Sequence, residues 1–286
     1  MYFLIIYALL LVCFFFFFFH SNKDNLMKSY FFIFESISPY GFFRIQNEQP
    51  TLVPFLKSIE NSIFRGVIVY LESYDQTEKL LFEFVKSHPY FQIFKYPFLV
   101  KRKNRTRIEE RIDFFYNFVL SKIPSFSWFL KLDADNIYSS KSLFEIFRIP
   151  IKDNDMVCIP YLNIYCNTSN QIPYLIFNGN KTVYNVCDHF MLKKFNLYFE
   201  LGSKTNDQSC EVLRMKEGRN KIYVSIQALH FPIQKKHRNY MIGKAKIANI
   251  IIDNKVSPKF DNIHCPKILC NYQNIYSTCQ QISYFS

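Results

Sequence analysis

Between residues 41 and 132 the spacing of apolar residues switches repeatedly between two periods. Gly41-Phe-Phe-Arg-Ile45 and Gly66-Val-Ile-Val-Tyr70 are short, almost wholly apolar runs, as strands covered on both faces require. After the first, Leu52, Phe55, Leu56 and Ile59 recur at helical spacing behind Pro50. After the second, Leu80, Leu81, Phe84 and Val85 do the same within Thr77 to Lys86. Ile93 to Tyr96 reads as a third strand, and Ile108, Ile112, Phe115 and Val119 as one face of a helix. Trp128-Phe-Leu-Lys-Leu132 is a fourth strand that ends abruptly in acid. Farther on, Asn206 to Gly218 reads as a helix with an acidic start and a glycine stop, followed by a strand over Lys221 to Ile226. Strands alternating with helices predict an α/β fold with a mostly parallel central sheet. No repeat or linker divides residues 35–260, which read as one domain; residues 261–286 form a tail of no assigned role.

The N-terminus breaks this pattern. Met1 to Phe19 is an unbroken apolar run ending in six phenylalanines, about 28 Å long as a helix and close to the thickness of a bilayer core. A retained membrane anchor over residues 1–22 fits better than a cleaved signal peptide, because no Lys or Arg precedes the run and His20-Ser-Asn22 is a poor cleavage site. A non-native leader is the other alternative. Lys23 and Lys28 follow the run, which favours a body on the cytoplasmic face of the inner membrane, anchored or peripheral. The eight cysteines fit no zinc or redox spacing and are expected to be buried free thiols.

Composition narrows the function classes. With 33 Phe and 20 Tyr the chain is not disordered, and 6 Gly in 286 residues argue against a glycine-looped dinucleotide fold. The net charge of +12 raises the question of nucleic acid, but no nucleic-acid motif accompanies it. An anionic membrane surface suits that charge better.

Asp133-Ala-Asp135 stands where an open α/β sheet binds its ligands, beyond the carboxyl end of an apolar strand. Two carboxylates so placed can share a hard cation, Mg2+ or Mn2+, which also takes phosphate oxygens. Downstream lie Asp188-His-Phe-Met-Leu192, Asn206-Asp207 and His230-Phe-Pro232, then the basic stretch Lys235-Lys-His-Arg238.

This order resembles the GT-A class of nucleotide-sugar glycosyltransferases. It is most similar to the bacterial β-1,4-N-acetylgalactosaminyltransferases of ganglioside-like lipooligosaccharide synthesis. The resemblance rests on Phe43-Arg-Ile-Gln-Asn-Glu48, Arg65-Gly-Val-Ile68, Tyr116-Asn-Phe-Val119, Trp128 to Tyr138, and His230 to Arg238. It implies an enzyme that moves N-acetylgalactosamine from UDP-GalNAc, with inversion, to a galactose of a lipid-linked oligosaccharide. It implies Asp133 and Asp135 as metal and diphosphate ligands, with His230 as a further ligand. Asn47, Glu48, Glu72 and Asp75 would contact the nucleoside, and Lys235, Lys236 and Arg238 the diphosphate. Asp207 would be the base, with Asp188 as runner-up or sugar contact. Leu71, Tyr74 and Gln76 depart from the family, which carries residues more like Asn, Thr and Gly there.

Overall fold

The computed structural model describes residues 38–101, 104–166, 173–177, 183–202, 210–215, 218–224, 228–232, 246–249, 277–280 and 282. The first half alternates strand and helix as expected: β1 (Tyr40–Ile45), α1 (Gln49–Ile59), β2 (Gly66–Tyr70), α2 (Thr77–Ser87) and β3 (Phe91–Lys95). A short 3-10 turn (Ile108–Glu110) precedes α3 (Ile112–Lys122), which leads to β4 (Trp128–Lys131), β5 (Asn136–Tyr138) and α4 (Ser140–Phe147). Strands then dominate: β6 (Asp155–Cys166), β7 (Pro173–Phe177), β8 (Val183–Lys193), β9 (Leu197–Gly202), β10 (Cys210–Met215), β11 (Asn220–Tyr223), β12 (Ala228–His230) and β13 (Lys246–Asn249).

One mixed α/β sheet carries the order β13-β7-β6-β8-β4-β1-β2-β3, with β11 and β12 on β6 and β5 on β12. The run β3-β2-β1-β4 is parallel. Farther across, β5, β7 and β8 run against the other eight of the eleven strands. Successive side chains of each strand serve opposite faces, and both faces are packed. Phe43, Ile68, Tyr70 and Leu130 meet α1, α2 and α4, whereas Phe42, Val67, Val69 and Phe129 meet α3 and β9. All five residues of β2 are buried, which explains why that run lacks the alternation of a half-exposed strand. Gly66 is required by close approach: a Cβ there would sit 2.9 Å from the Phe91 ring and 3.1 Å from the Gly41 carbonyl.

Three expectations change. Residues within the expected helix Asn206–Gly218 form β10 instead, antiparallel to β9 with Leu213 opposite Phe199. The segment also reads with period two, since Leu213 and Met215 pack against the α3 side of the core while Arg214 pairs with Glu200 outside. Tertiary pairing thus overrides helical propensity. The helix expected from Ile108 starts at Ile112, because Glu110 turns back to accept from Lys101 Nζ at 2.6 Å and Thr106 N at 2.7 Å. The expected free thiols are corrected by two disulfides, Cys158–Cys187 and Cys166–Cys279, with Cα separations of 4.7 and 5.3 Å. Cysteines far apart in sequence meet once β8 lies on β6 and residues 277–280 reach Cys166. Among the described residues no helix is long and apolar enough to cross a membrane; residues 1–22 lie outside them.

Candidate active site

The carboxyl ends of β1, β2 and β4 lie side by side in the parallel part of the sheet. Beyond β4 the chain makes a turn closed by Asn136 N donating to the Asp133 carbonyl at 3.1 Å, then enters β5. Phe231 N fixes the turn from the other side by donating to the Asp135 carbonyl at 2.8 Å. Because these acids sit on a turn rather than a straight strand, Asp133 and Asp135 take different partners.

Asp133 is surrounded by nitrogen groups. Arg44 reaches it from β1 at 3.4 Å, Lys131 at 3.7 Å and His189 Nε2 at 3.5 Å. Lys131 is buried, and its ammonium donates to both the carbonyl and the carboxylate of Asp188 at 2.8 Å. Burial alone would strip the charge from Lys131, but Asp133 and Asp188 more than offset it and raise its pKa. Burial likewise opposes ionisation of Asp133, yet Lys131, Arg44 and His189 hold it well below the usual carboxylate range. Lys131 does the same for Asp188, against some desolvation and the repulsion of Asp133. The Arg44 guanidinium stacks 4.2 Å above the Tyr116 ring, and Tyr116 donates from its hydroxyl to Glu211 on β10. Burial, first of all, pushes the Tyr116 and Tyr138 hydroxyls well above their ordinary pKa.

Asp135 is arranged differently. Its carboxylate accepts from Asn136 Nδ2 at 3.0 Å and faces His230 Nε2 at 3.4 Å. The other ring nitrogen, His230 Nδ1, lies 2.6 Å from Asn163 Oδ1, an oxygen that can only accept. Nδ1 therefore carries a proton. In the neutral ring the Nε2 lone pair then points at Asp135, and only a proton or a metal cation between them makes the contact attractive. Two cis donors on an Mg2+-sized ion, each about 2.1 Å away, lie roughly 3 Å apart. Asn136, opposite His230 in the β5–β12 ladder, keeps its Oδ1 buried with no hydrogen-bond partner among the described residues. The oxygen and imidazole donors at Asp135 and His230 thus suit a borderline-hard divalent ion.

A second group, Asp133, Asp188 and His189, has ligand atoms within 4.8 Å of one another. There Lys131 and Arg44 already offset the two carboxylates, and His189 Nδ1 lies 3.3 Å from the Tyr138 hydroxyl. An imidazole that accepts from Tyr138 would donate through Nε2 to Asp133, so this group has protein partners as well as ligand atoms close enough for a metal.

The expected nucleoside residues cluster at the β1–α1 and β2–α2 junctions, where they also build the loops. Asn47, at φ 52°, accepts from Tyr74 N at 3.1 Å, and Glu48 N donates to Thr77 Oγ1 at 2.8 Å. Asp75 accepts from Gln49 N at 3.2 Å and Thr77 N at 2.9 Å, so its carboxylate serves the N-termini of α1 and α2. Glu72 is exposed, and its carbonyl accepts from Gln46. Asp207, Lys235, Lys236 and Arg238 lie outside the described residues.

Sequence reasoning missed Arg44, Lys131, Asn163 and His189 as members of this site. Each is a polar residue inside an otherwise apolar strand run, Phe-Phe-Arg-Ile, Phe-Leu-Lys-Leu, Tyr-Leu-Asn-Ile and His-Phe-Met-Leu. A charge in such a run is costly unless paired, and that is the signal that was available.

One solved structure with likeness to the chain is the mannosyltransferase PcManGT from Pyrobaculum calidifontis in complex with GDP-Man and Mn2+. The likeness has 15% identity and a TM-score of 0.32, and covers 43% of this chain. It spans only 35% of the length of that enzyme. No curated protein matches the chain. The family comparison covers far more: residues 17–269 match the β-1,4-N-acetylgalactosaminyltransferase (CgtA) family, a span that takes in both acidic clusters and every strand of the sheet. By that match the chain belongs to the CgtA family and is a glycosyltransferase.

Proposed function

We propose that the protein transfers N-acetylgalactosamine from UDP-GalNAc, with inversion, to a galactose-containing lipid-linked oligosaccharide, sialylated or not, forming a β-1,4 linkage. Family membership supports the sugar. The observation that carries the chemistry is the approach of His230 Nε2 to Asp135 at 3.4 Å beside the buried Asn136 Oδ1. Asp135 and His230 would hold Mn2+ or Mg2+, which supplies charge neutralisation for a departing diphosphate. Asp133 and its cations form the rigid floor beside that point, with the Lys131 ammonium fixing Asp188 toward the sugar. Asp188 is less suited to be the base, because Lys131 holds its pKa low. Asp207 therefore remains the proposed base, and Lys235, Lys236 and Arg238 the proposed diphosphate contacts. Asn47 and the Tyr74 loop edge the nucleoside side of the site, and no role for nucleic acid is proposed.

The test is transfer from a panel of UDP-sugars to a galactose-terminated acceptor, with and without Mn2+. Metal-dependent turnover that is fastest with UDP-GalNAc is expected. Equal or faster turnover with UDP-glucose would replace this reading by a transferase of another UDP-hexose. Two observations support different locations. Lys23 and Lys28 support the cytoplasmic face of a membrane, and the two disulfides support an oxidising compartment. Alkylation of thiols in intact cells separates these: labelling of Cys158, Cys166, Cys187 and Cys279 without reduction supports the first, and their labelling only after reduction the second.

A further inference from the structure

The β6–β8 ladder is interrupted beside the acidic cluster. Ile159 pairs with His189 and Tyr161 with Tyr184, so two steps along β6 correspond to five along β8. The surplus residues of β8 bulge out immediately before His189 and include Cys187 and Asp188. A bulge re-aims side chains and releases backbone groups from the ladder. Here the released group is the Asp188 carbonyl, which accepts from Lys131 Nζ at 2.8 Å alongside its own carboxylate. Cys187 adopts φ 54°, a left-handed conformation that residues with a Cβ disfavour. Its sulfur is bonded to Cys158, a fully buried residue of β6 that pairs with Phe190.

We infer that the Cys158–Cys187 disulfide is a positioning device for the transferase centre. It staples the β8 bulge to β6 in the one shape that presents Asp188 to Lys131 and His189 to Asp133. Transfer is then fast only while the bond is formed. A small dithiol would open it by attack on one sulfur, giving a mixed disulfide that its second thiol resolves. Two protein thiols and one cyclic disulfide result, with two electrons and two protons passing to the protein. The second disulfide, Cys166–Cys279, ties residues 113 apart and has neither cysteine on β8, so it is the internal control.

This inference rests on the transferase reading, and the experiment separates the two. Full-length oxidised protein is assayed for kcat and donor KM before and after dithiothreitol, beside the Cys158→Ala/Cys187→Ala and Cys166→Ala/Cys279→Ala variants. Because misplacement of a site by about 1 Å costs on the order of 100-fold, a kcat loss of that order is expected on reduction and in the first variant. Donor KM should move much less. The second variant should keep wild-type kcat and the same sensitivity to dithiothreitol. Unchanged kcat after four thiols are released from the wild type overturns the inference. If Cys158→Ala/Cys187→Ala does not fold, Cys158→Ala/Cys187→Gly relieves the left-handed backbone without restoring the tether. Low kcat there supports the staple, and wild-type kcat overturns it. If the oxidised protein moves no sugar from any donor, the transferase reading fails, and hydrogen exchange at residues 187–190 still decides. Faster exchange on reduction supports the staple, and unchanged exchange overturns it.

Discussion

The two aspartates of Asp133-Ala-Asp135 are separated by one residue, yet their surroundings are opposite in kind. Asp133 lies between two protein cations, Arg44 and Lys131, with the His189 imidazole beside them, and its charge is offset before any ligand arrives. Asp135 faces the His230 imidazole, whose other ring nitrogen meets Asn163, and accepts from the Asn136 amide. The first arrangement resembles a structural ion-pair network that holds a shape. The second is a carboxylate–imidazole pair, a donor set of the kind that divalent ions take. A motif of two like residues can thus place its members in unlike surroundings.

The strongest attack on this comparison is to neutralise each acid in turn. Asp135→Asn should lower kcat/KM on the order of 1000-fold, the scale of losing a principal electrostatic stabiliser, and abolish Mn2+ dependence. Asp133→Asn should leave Mn2+ affinity, measured by titration calorimetry, within a few-fold of wild type. The reverse pattern would assign the ion to Asp133.

Removing the internal cation sharpens the contrast from the other side. Lys131→Met should destabilise the fold by about 3 kcal/mol, read from urea unfolding, because two carboxylates lose a buried partner. That figure is at the low end for buried pairs, since the Asp188 side chain is 44% exposed. The same variant should gain a second Mn2+ equivalent at Asp133, Asp188 and His189. No gain would mean that Lys131 is not what excludes the ion.

A smaller effect is expected behind the metal ligands. Asn163→Ala frees His230 to change tautomer and should weaken Mn2+ binding about tenfold, as loss of an outer-shell partner does. Unchanged affinity would break the claim that Asn163 sets the lone pair.

The least effect belongs to a carboxylate far from both clusters. Lys101 first, then the Thr106 N–H, hold the Glu110 carboxyl down from 4.5 to about 2. A depressed carboxyl stabilises the fold above its unfolded pKa, and that share is lost as pH falls from 4.5 through about 2. Urea midpoints across that window should fall more steeply in wild type than in Glu110→Gln. Parallel curves would show that Glu110 contributes nothing.

Much of the fold was legible in the chain. The β2 run, α1 behind Pro50, and α2 from Thr77 are local, because strand and helix periods are written in consecutive apolar positions and both faces of this sheet are buried. The carboxyl end of β4 could be named as the place for chemistry for the same reason, since strand direction is set by the βαβ connections. Residues 210–215 were not legible, because Cys-Glu-Val-Leu-Arg-Met satisfies either period and pairing with β9 decides between them.

What the sequence determined by itself is therefore the alternation of elements, the presence of two acids at a strand end, and the family to which these motifs point. Only the tertiary structure decided which partners each acid takes. The charges on Arg44 and Lys131, the imidazoles of His189 and His230, and the sulfurs of Cys158 and Cys187 come from strands far apart in the chain. Their meaning depends on distances of about 3 Å, at which a hydrogen bond or ion pair either forms or does not. No periodicity encodes such distances; they follow from the register in which β8 lies on β6 and β12 on β5.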